Sequence, residues 1–267
     1  MATVTRYRNG VPSWADVAVS DPESGAAFYA DLFGWDVEDQ GEEAGGYRMF
    51  RTAGRSVAGL GPKRTDEAMP VWSAYISVDD LDATLSAAAA AGGTVVMPRM
   101  DIFTSGSMAV VVDPTGAAIS FWQAGDHIGA ELVNVPNTLA WHELTTRDAE
   151  ASMAFYAAVL GWEFEEVPEG AGAPGYQMIK VGDRVVGGIM PMVGDDWGDL
   201  PSHWMVYFAV ADTDATAARI AELGGSVSVE PFDMGVGRMA VCNDPDGNAF
   251  SIIAFGGPVD EIEGGVA

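Results

Sequence analysis

The chain has 267 residues, nearly half of them hydrophobic, and sets 39 acidic against 13 basic side chains for a formal net charge of −26. Phosphate contacts need Lys and Arg, so this balance argues against nucleic acid as a partner; it reads first as bulk solubility, with a field that favours cationic or neutral small molecules as the lesser reading. The longest small-residue run, Ala87 to Ala91, is far short of the roughly 20 apolar residues that cross a bilayer, so no membrane association is expected. Cys242 stands alone, which rules out an intrachain disulfide and a cysteine-based zinc site. No apolar run follows Met1-Ala2-Thr3, so no signal peptide is expected, and a reducing cytoplasm is the expected location.

Residues 1–10 show no periodicity and are expected to form a mobile arm. Ser13 to Ser20 reads as a strand, and Asp21-Pro22 opens a helix whose apolar stripe is Phe28, Leu32 and Trp35, closing at Gly34. Asp36 to Asp39, Tyr47 to Thr52 and Ser56 to Leu60 read as short strands parted by Gly-rich turns. The order then recurs: a strand over Trp72 to Val78, a helix over Asp80 to Ala91, and strands over Thr94 to Pro98, Ser107 to Val112 and Ala117 to Gln123. Residues 125–137 hold Gly125, Gly129 and Pro136 with little pattern and read as a linker.

Beyond it the first half returns. SGAAFYADLFGW (24–35) is matched by SMAFYAAVLGW (152–162), with Gly34 and Gly161 lying 127 residues apart. Asp113-Pro114-Thr115-Gly116 is matched by Asp244-Pro245-Asp246-Gly247, and Trp72 to Val78 by Trp204 to Val210. Two similar domains are therefore expected, 11–124 and 138–256, each built from two βαβββ modules. The acidic, Gly-rich tail after Phe255 is expected to be disordered.

The paired modules, the helix ending FY…LFGW, the VDDLD of Val78 to Asp82 and the DP-x-G hairpins resemble the vicinal oxygen chelate superfamily. That superfamily includes glyoxalase I, extradiol dioxygenases and bleomycin-resistance proteins. In its tandem form the chain looks like the actinobacterial glyoxalase-like proteins often labelled as hydroxylases. The resemblance implies an α+β fold of two tandem domains, in each of which two modules form a cup-shaped, curved mixed sheet. It also implies where metal ligands belong. At those positions stand Trp14, Ser73 and Ser120 in the first half, and Trp141, Met205 and Ser251 in the second. Trp, Met and Ser do not make a divalent-metal cage, so no metal ligands and no cofactor are expected.

Side chains two apart on a strand share a face. Trp14 therefore brings Asp16 into its cup, Trp141 brings Glu143, Ser73 brings Tyr75, Met205 brings Tyr207, and Ser120 brings Trp122. Each cup then offers indole, phenol, carboxylate and hydroxyl, a usual make-up for a small-molecule site, although strand Trp and Tyr also serve simply as core. The expected function is metal-free binding of a small aromatic or hydroxylated molecule. The alternative is a metal-independent lyase, isomerase or hydroxylase with Asp16 and Glu143 as acid–base groups and Tyr75 and Tyr207 as donors. A metal-dependent glyoxalase or dioxygenase, or a protein-interaction module, ranks lower. The expected partner is a small molecule, with the chain a monomer of pseudo-dimeric halves or a homodimer. His127, His142 and His203 read as surface or packing residues, with a His203–Glu143 pair as a lesser reading. Arg99 and Arg238 stand near the rims as candidate anion contacts, and Thr104 to Ser107 as a candidate lid.

Overall fold

The computed structural model describes residues 3–63, 70–168, 173–257 and 267. The first module is β1 (Pro12–Val19), α1 (Pro22–Phe33), β2 (Asp36–Asp39), β3 (Arg48–Thr52) and β4 (Arg55–Pro62). The second is β5 (Ser73–Ser77), α2 (Leu81–Ala90), β6 (Thr94–Ile102), β7 (Gly106–Val112) and β8 (Ala118–Ala124). The second half repeats this as β9 (Thr138–Thr146), α3 (Ala149–Leu160), β10 (Glu163–Glu166), β11 (Gln177–Val181) and β12 (Arg184–Pro191). It ends with β13 (His203–Ala209), α4 (Thr213–Glu222), β14 (Ser226–Met234), β15 (Gly237–Asn243) and β16 (Ala249–Phe255). Each half makes its own eight-stranded mixed sheet, ordered β2-β3-β4-β1-β5-β8-β7-β6 and β10-β11-β12-β9-β13-β16-β15-β14. Each cup is thus built within one half, with no exchange of modules. Among the described residues no helix is long and apolar enough to cross a membrane.

Local chemistry starts and stops the helices as the sequence suggests. The Asp21 carboxylate accepts from the Glu23 N–H at 3.0 Å, Pro22 occupies the first turn, and Gly34 closes α1 at φ 70°. Asp148 and Gly161 do the same for α3. The buried face of α1 differs from the predicted stripe. Ala26, Phe28, Tyr29 and Phe33 are buried and Leu32 only half so, because the helix turns Tyr29 fully inside.

That burial is explained by a polar chain between the halves. The Trp72 indole N–H donates to the Tyr29 hydroxyl at 3.0 Å, and Tyr29 donates to Asp244 of the other half at 2.9 Å. The reciprocal chain runs from Trp204 to Tyr156 at 2.9 Å and from Tyr156 to Asp113 at 3.1 Å. Burial and the adjacent carboxylate hold both phenols well above their ordinary pKa, so they remain donors. Around them Phe33, Trp35, Trp72 and Phe208 pack ring to ring across the two halves. Trp35 also donates to Asn137 O at 2.8 Å, and Trp162 to Gly10 O at 2.7 Å.

Two expectations about mobility are corrected. The N-terminal arm is docked: Val4 and Tyr7 are buried, the Val4 N–H bonds Glu131 O, and the Tyr7 hydroxyl donates to Ala130 O at 2.7 Å. Thr104 to Ser107 is no lid, because the N–H groups of Gly125, Asp126 and His127 bond the Thr104 and Ser105 carbonyls. Most of the tail expected to be disordered lies outside the described residues.

Tyr156→Phe strands an oxygen of Asp113 and the Trp204 indole N–H, whereas Tyr29→Phe strands the Trp72 indole N–H alone, because Asn248 Nδ2 still donates to Asp244 Oδ2 at 2.8 Å. Each should cost about 1–3 kcal/mol in urea unfolding, with the larger loss for Tyr156→Phe. Losses within about 0.5 kcal/mol of zero would show that the chains do not hold the halves together.

Candidate functional site

Strand register assembles the cups. In the first, Trp14 lies opposite Tyr75, Asp16 opposite Ser73 and Gly59, and Tyr75 beside Ser120. In the second, Trp141 lies opposite Tyr207, Glu143 opposite Met205 and Gly188, and Tyr207 beside Ser251. Trp122 extends the first cup beyond Ser120, pairing with Met108. The opposite faces of these strands point into the shared interior, where Trp72, Phe121 and Phe208 are fully buried. The cups therefore face away from each other.

Each cup centres on its carboxylate. Asp16 Oδ2 accepts from Tyr75 at 2.9 Å and from Tyr47 at 3.2 Å, and Tyr47 in turn accepts from the Trp14 indole at 3.1 Å. In the second cup Glu143 Oε1 accepts from Tyr207 at 2.8 Å and Oε2 from Tyr176 at 2.7 Å, while Tyr176 accepts from Trp141 at 3.1 Å. Burial raises the Asp16 carboxyl, opposed by its bonds to Tyr75, Tyr47 and Ser73. Burial likewise raises Glu143 above its ordinary 4.5, opposed by Tyr176 and Tyr207. The four phenols are raised by burial first and by the carboxylates second, so their protons stay on them and point at the acid.

Tyr47 and Tyr176 escaped the sequence reading, in which Tyr47 only opens a short strand. A usable signal was present: Gly59 and Gly188 follow them at the same spacing in both halves. A Cβ on either glycine would lie 1.9 Å from the tyrosine hydroxyl, so the missing side chain is what admits the phenol.

The histidines sort differently. His142 points away from the cup, is buried, and is pushed down to about 4 by burial. His203 shares a face with Met205 and Tyr207, but its Nδ1 contacts Pro201 O at 2.9 Å, and both Glu143 oxygens are taken by tyrosines. The His203–Glu143 pair is therefore not formed. His127 takes a packing role, its ring edge-on against Trp14 with centroids 4.5 Å apart. Arg99 pairs with Asp82 and Asp101, and Arg238 with Asp214 and Asp233, so neither side chain stands open to an anion.

Two curved sheets of paired βαβββ modules, each holding a polar cluster in its hollow, define a cup-shaped class of fold. Comparison with known proteins gives the family. The chain belongs to the Glyoxalase/Bleomycin resistance protein/Dioxygenase superfamily, whose profile matches residues 12–121 and 137–252. It is 44% identical to "Putative glyoxylase CFP32" of Mycobacterium tuberculosis, covering 93% of this chain and 96% of that protein. It is 39% identical to "Anthracycline biosynthesis protein DnrV" of Streptomyces peucetius, covering 94% and 95%. Among solved structures, the Mn(II)-bound glyoxalase of Novosphingobium aromaticivorans matches with TM-score 0.64 at 19% identity, over 95% of this chain and 84% of that one. The 2,3-dioxygenase LapB of Pseudomonas sp. KL28 matches with TM-score 0.64 at 16% identity, over 95% and 97%.

A resident divalent ion needs several oxygen or nitrogen donors converging at about 2.0–2.6 Å. Each cup offers one carboxylate, already hydrogen-bonded by two phenols, with indole, thioether and hydroxyl groups at the other inward positions. Among the described residues no three His, Cys, Asp or Glu side chains gather where an ion could sit. The donor set does not fit the metal that the superfamily's glyoxalases and dioxygenases suggest.

The raised carboxyl has a stability signature. Native Glu143 holds its proton to higher pH than the unfolded chain, so this contribution is whole below 4.5 and is lost as pH rises through the native value. In urea unfolding carried upward from pH 4.5, wild type should lose stability relative to Glu143→Gln. A difference between the two that does not change with pH would refute the raised value.

Proposed function

We propose that the protein binds a small hydroxylated aromatic molecule in its cups without a resident metal ion. One observation carries this reading: a carboxylate, buried in the second hollow and partly so in the first, is fixed by two tyrosines beside an indole. A carboxylate only accepts hydrogen bonds, so the ligand has to bring a donor, a hydroxyl or an amine. The surrounding Trp, Tyr and Met side chains favour a flat ring, worth roughly 0.5–1.5 kcal/mol per aromatic pair beyond area burial. The chain's negative charge and the acid at the base of each cup both disfavour an anionic ligand. The names of the relatives accord with this: one pair belongs to the making of anthracyclines, a class of hydroxylated polycyclic aromatics. Cys242 is free and buried, in keeping with a reducing compartment such as the cytoplasm.

The raised proton affinity of Asp16 and Glu143 favours a second reading at the same site, a metal-independent lyase or isomerase. There the carboxylate moves a proton of the bound molecule, while the tyrosine hydroxyls hold developing negative charge on its oxygen. In that case Glu143→Gln loses turnover by far more than it loses affinity.

Titration calorimetry with 2-naphthol and 2-methoxynaphthalene tests the binding reading, since only the first donates a hydrogen bond. Wild type should prefer the naphthol by roughly tenfold, the worth of one such bond, and Asp16→Asn combined with Glu143→Gln should erase most of that preference. Dialysis against EDTA should leave both affinities unchanged. Equal affinity for the two compounds, or binding that disappears with chelation and returns with Mn(II), would overturn the proposal.

A further inference from the structure

Both acids are held by two phenols, but not in the same way. Glu143 takes one tyrosine on each oxygen, Tyr207 on Oε1 and Tyr176 on Oε2. Asp16 takes both of its tyrosines on Oδ2, Tyr75 at 2.9 Å and Tyr47 at 3.2 Å, so no phenol reaches Oδ1. We propose that Asp16 is the seat of a protonated amine, whose ammonium group pairs with Oδ1 and donates to the Ser73 hydroxyl beside it. This rests on reading each acid as the acceptor for a ligand's donor, and names the donor and the cup that takes it.

The surroundings of Asp16 leave it approachable. Its cross-strand neighbour is Ser73, where the same position opposite Glu143 holds Met205. Asp16 and Ser73 are both half-exposed, and so is Tyr47. On the other side Gly59 carries no side chain, and the space above it is taken by Tyr47. The acid is therefore framed by hydroxyl groups, which accept hydrogen bonds as well as donate them.

An ammonium group suits this oxygen better than a neutral hydroxyl. Burial raises the Asp16 carboxyl by penalising its charge, and a cation at Oδ1 offsets that penalty where a hydroxyl does so only in part. Among the described residues Asp16 makes no salt bridge, and Arg48 and Arg51 of β3 are turned to Asp39, Glu38 and Glu131. The several N–H groups of an ammonium reach the carboxylate and the Ser73 hydroxyl together, which a single O–H cannot. A net charge of −26 gathers cations around the whole molecule and adds to the preference.

The test uses the full chain and has an arm that needs no ligand. Carbodiimide coupling to glycinamide, read by peptide mass spectrometry, should modify Asp16 several-fold faster than Glu143. Ser73→Met, which sets beside Asp16 the side chain that stands beside Glu143, should slow that coupling several-fold. In calorimetry at neutral pH, 2-naphthylmethylamine, a cation, is compared with 2-naphthalenemethanol, a neutral molecule of the same shape. Wild type should bind the amine more tightly by roughly tenfold or more, and Asp16→Asn and Ser73→Met should each abolish that preference. Coupling at Asp16 no faster than at Glu143 would overturn the proposal, as would a preference for the amine lost in Glu143→Gln and kept in Asp16→Asn. Equal affinity for the two compounds sinks the ammonium proposal alone and leaves the acids as acceptors for a neutral donor. Binding of the amine, with no binding of the alcohol or of 2-naphthol, supports it and overturns the hydroxylated ligand instead. Binding of neither compound by wild type overturns both.

Discussion

Two crossed hydrogen-bond chains, Trp72–Tyr29–Asp244 and Trp204–Tyr156–Asp113, set the frame on which everything else is arranged. Each carries a phenol from the helix of one half into the hairpin turn of the other, through an interior otherwise filled with aromatic rings. Each aspartate also accepts from its own hairpin turn, and the tyrosine adds a buried bond that crosses between the halves and favours one relative orientation. Because the interior is made from the strand faces carrying Trp72, Phe121 and Phe208, the opposite faces have to open outward. The cups follow from the latch.

Within a cup the same economy recurs in a shallower place. The acid is kept among aromatic walls by two phenols, and each leading phenol is itself held by an indole N–H. This arrangement occupies the directions that metal ligands would need, and it leaves acceptor capacity facing the hollow. On the proposed reading, an acceptor that selects ligand donors stands where a cation would gather a ligand's oxygen atoms. The reversal of polarity fits a protein whose whole surface is strongly acidic.

The linker proves to be part of both halves. Glu131 pairs its backbone and side chain with Ser56, Ala130 bonds Ser13, and the N-terminal arm lies over the same stretch. Gly129 is required there, since a Cβ would fall 2.3 Å from Ser13 O. Docked in this way, the linker brings His127 onto Trp14.

The duplicated helix motif, the strand–helix–strand order and the DP-x-G turns determined the two-domain cup architecture, because they depend on local periodicity and capping that a sequence displays directly. Alternation along strands likewise placed Trp14 with Asp16 and Trp141 with Glu143, since facing follows from a two-residue period alone. Only the tertiary structure decided the rest. Tyr47 and Tyr176 reach the acids across a neighbouring strand, through gaps left by Gly59 and Gly188. Tyr29 and Tyr156 look outward on a short amphipathic helix until the other half supplies an aspartate. His127, in a patternless linker, acquires its place from where the chain is pinned. Contacts of that kind depend on register and on residues far apart in the chain, and no periodicity within one segment encodes them.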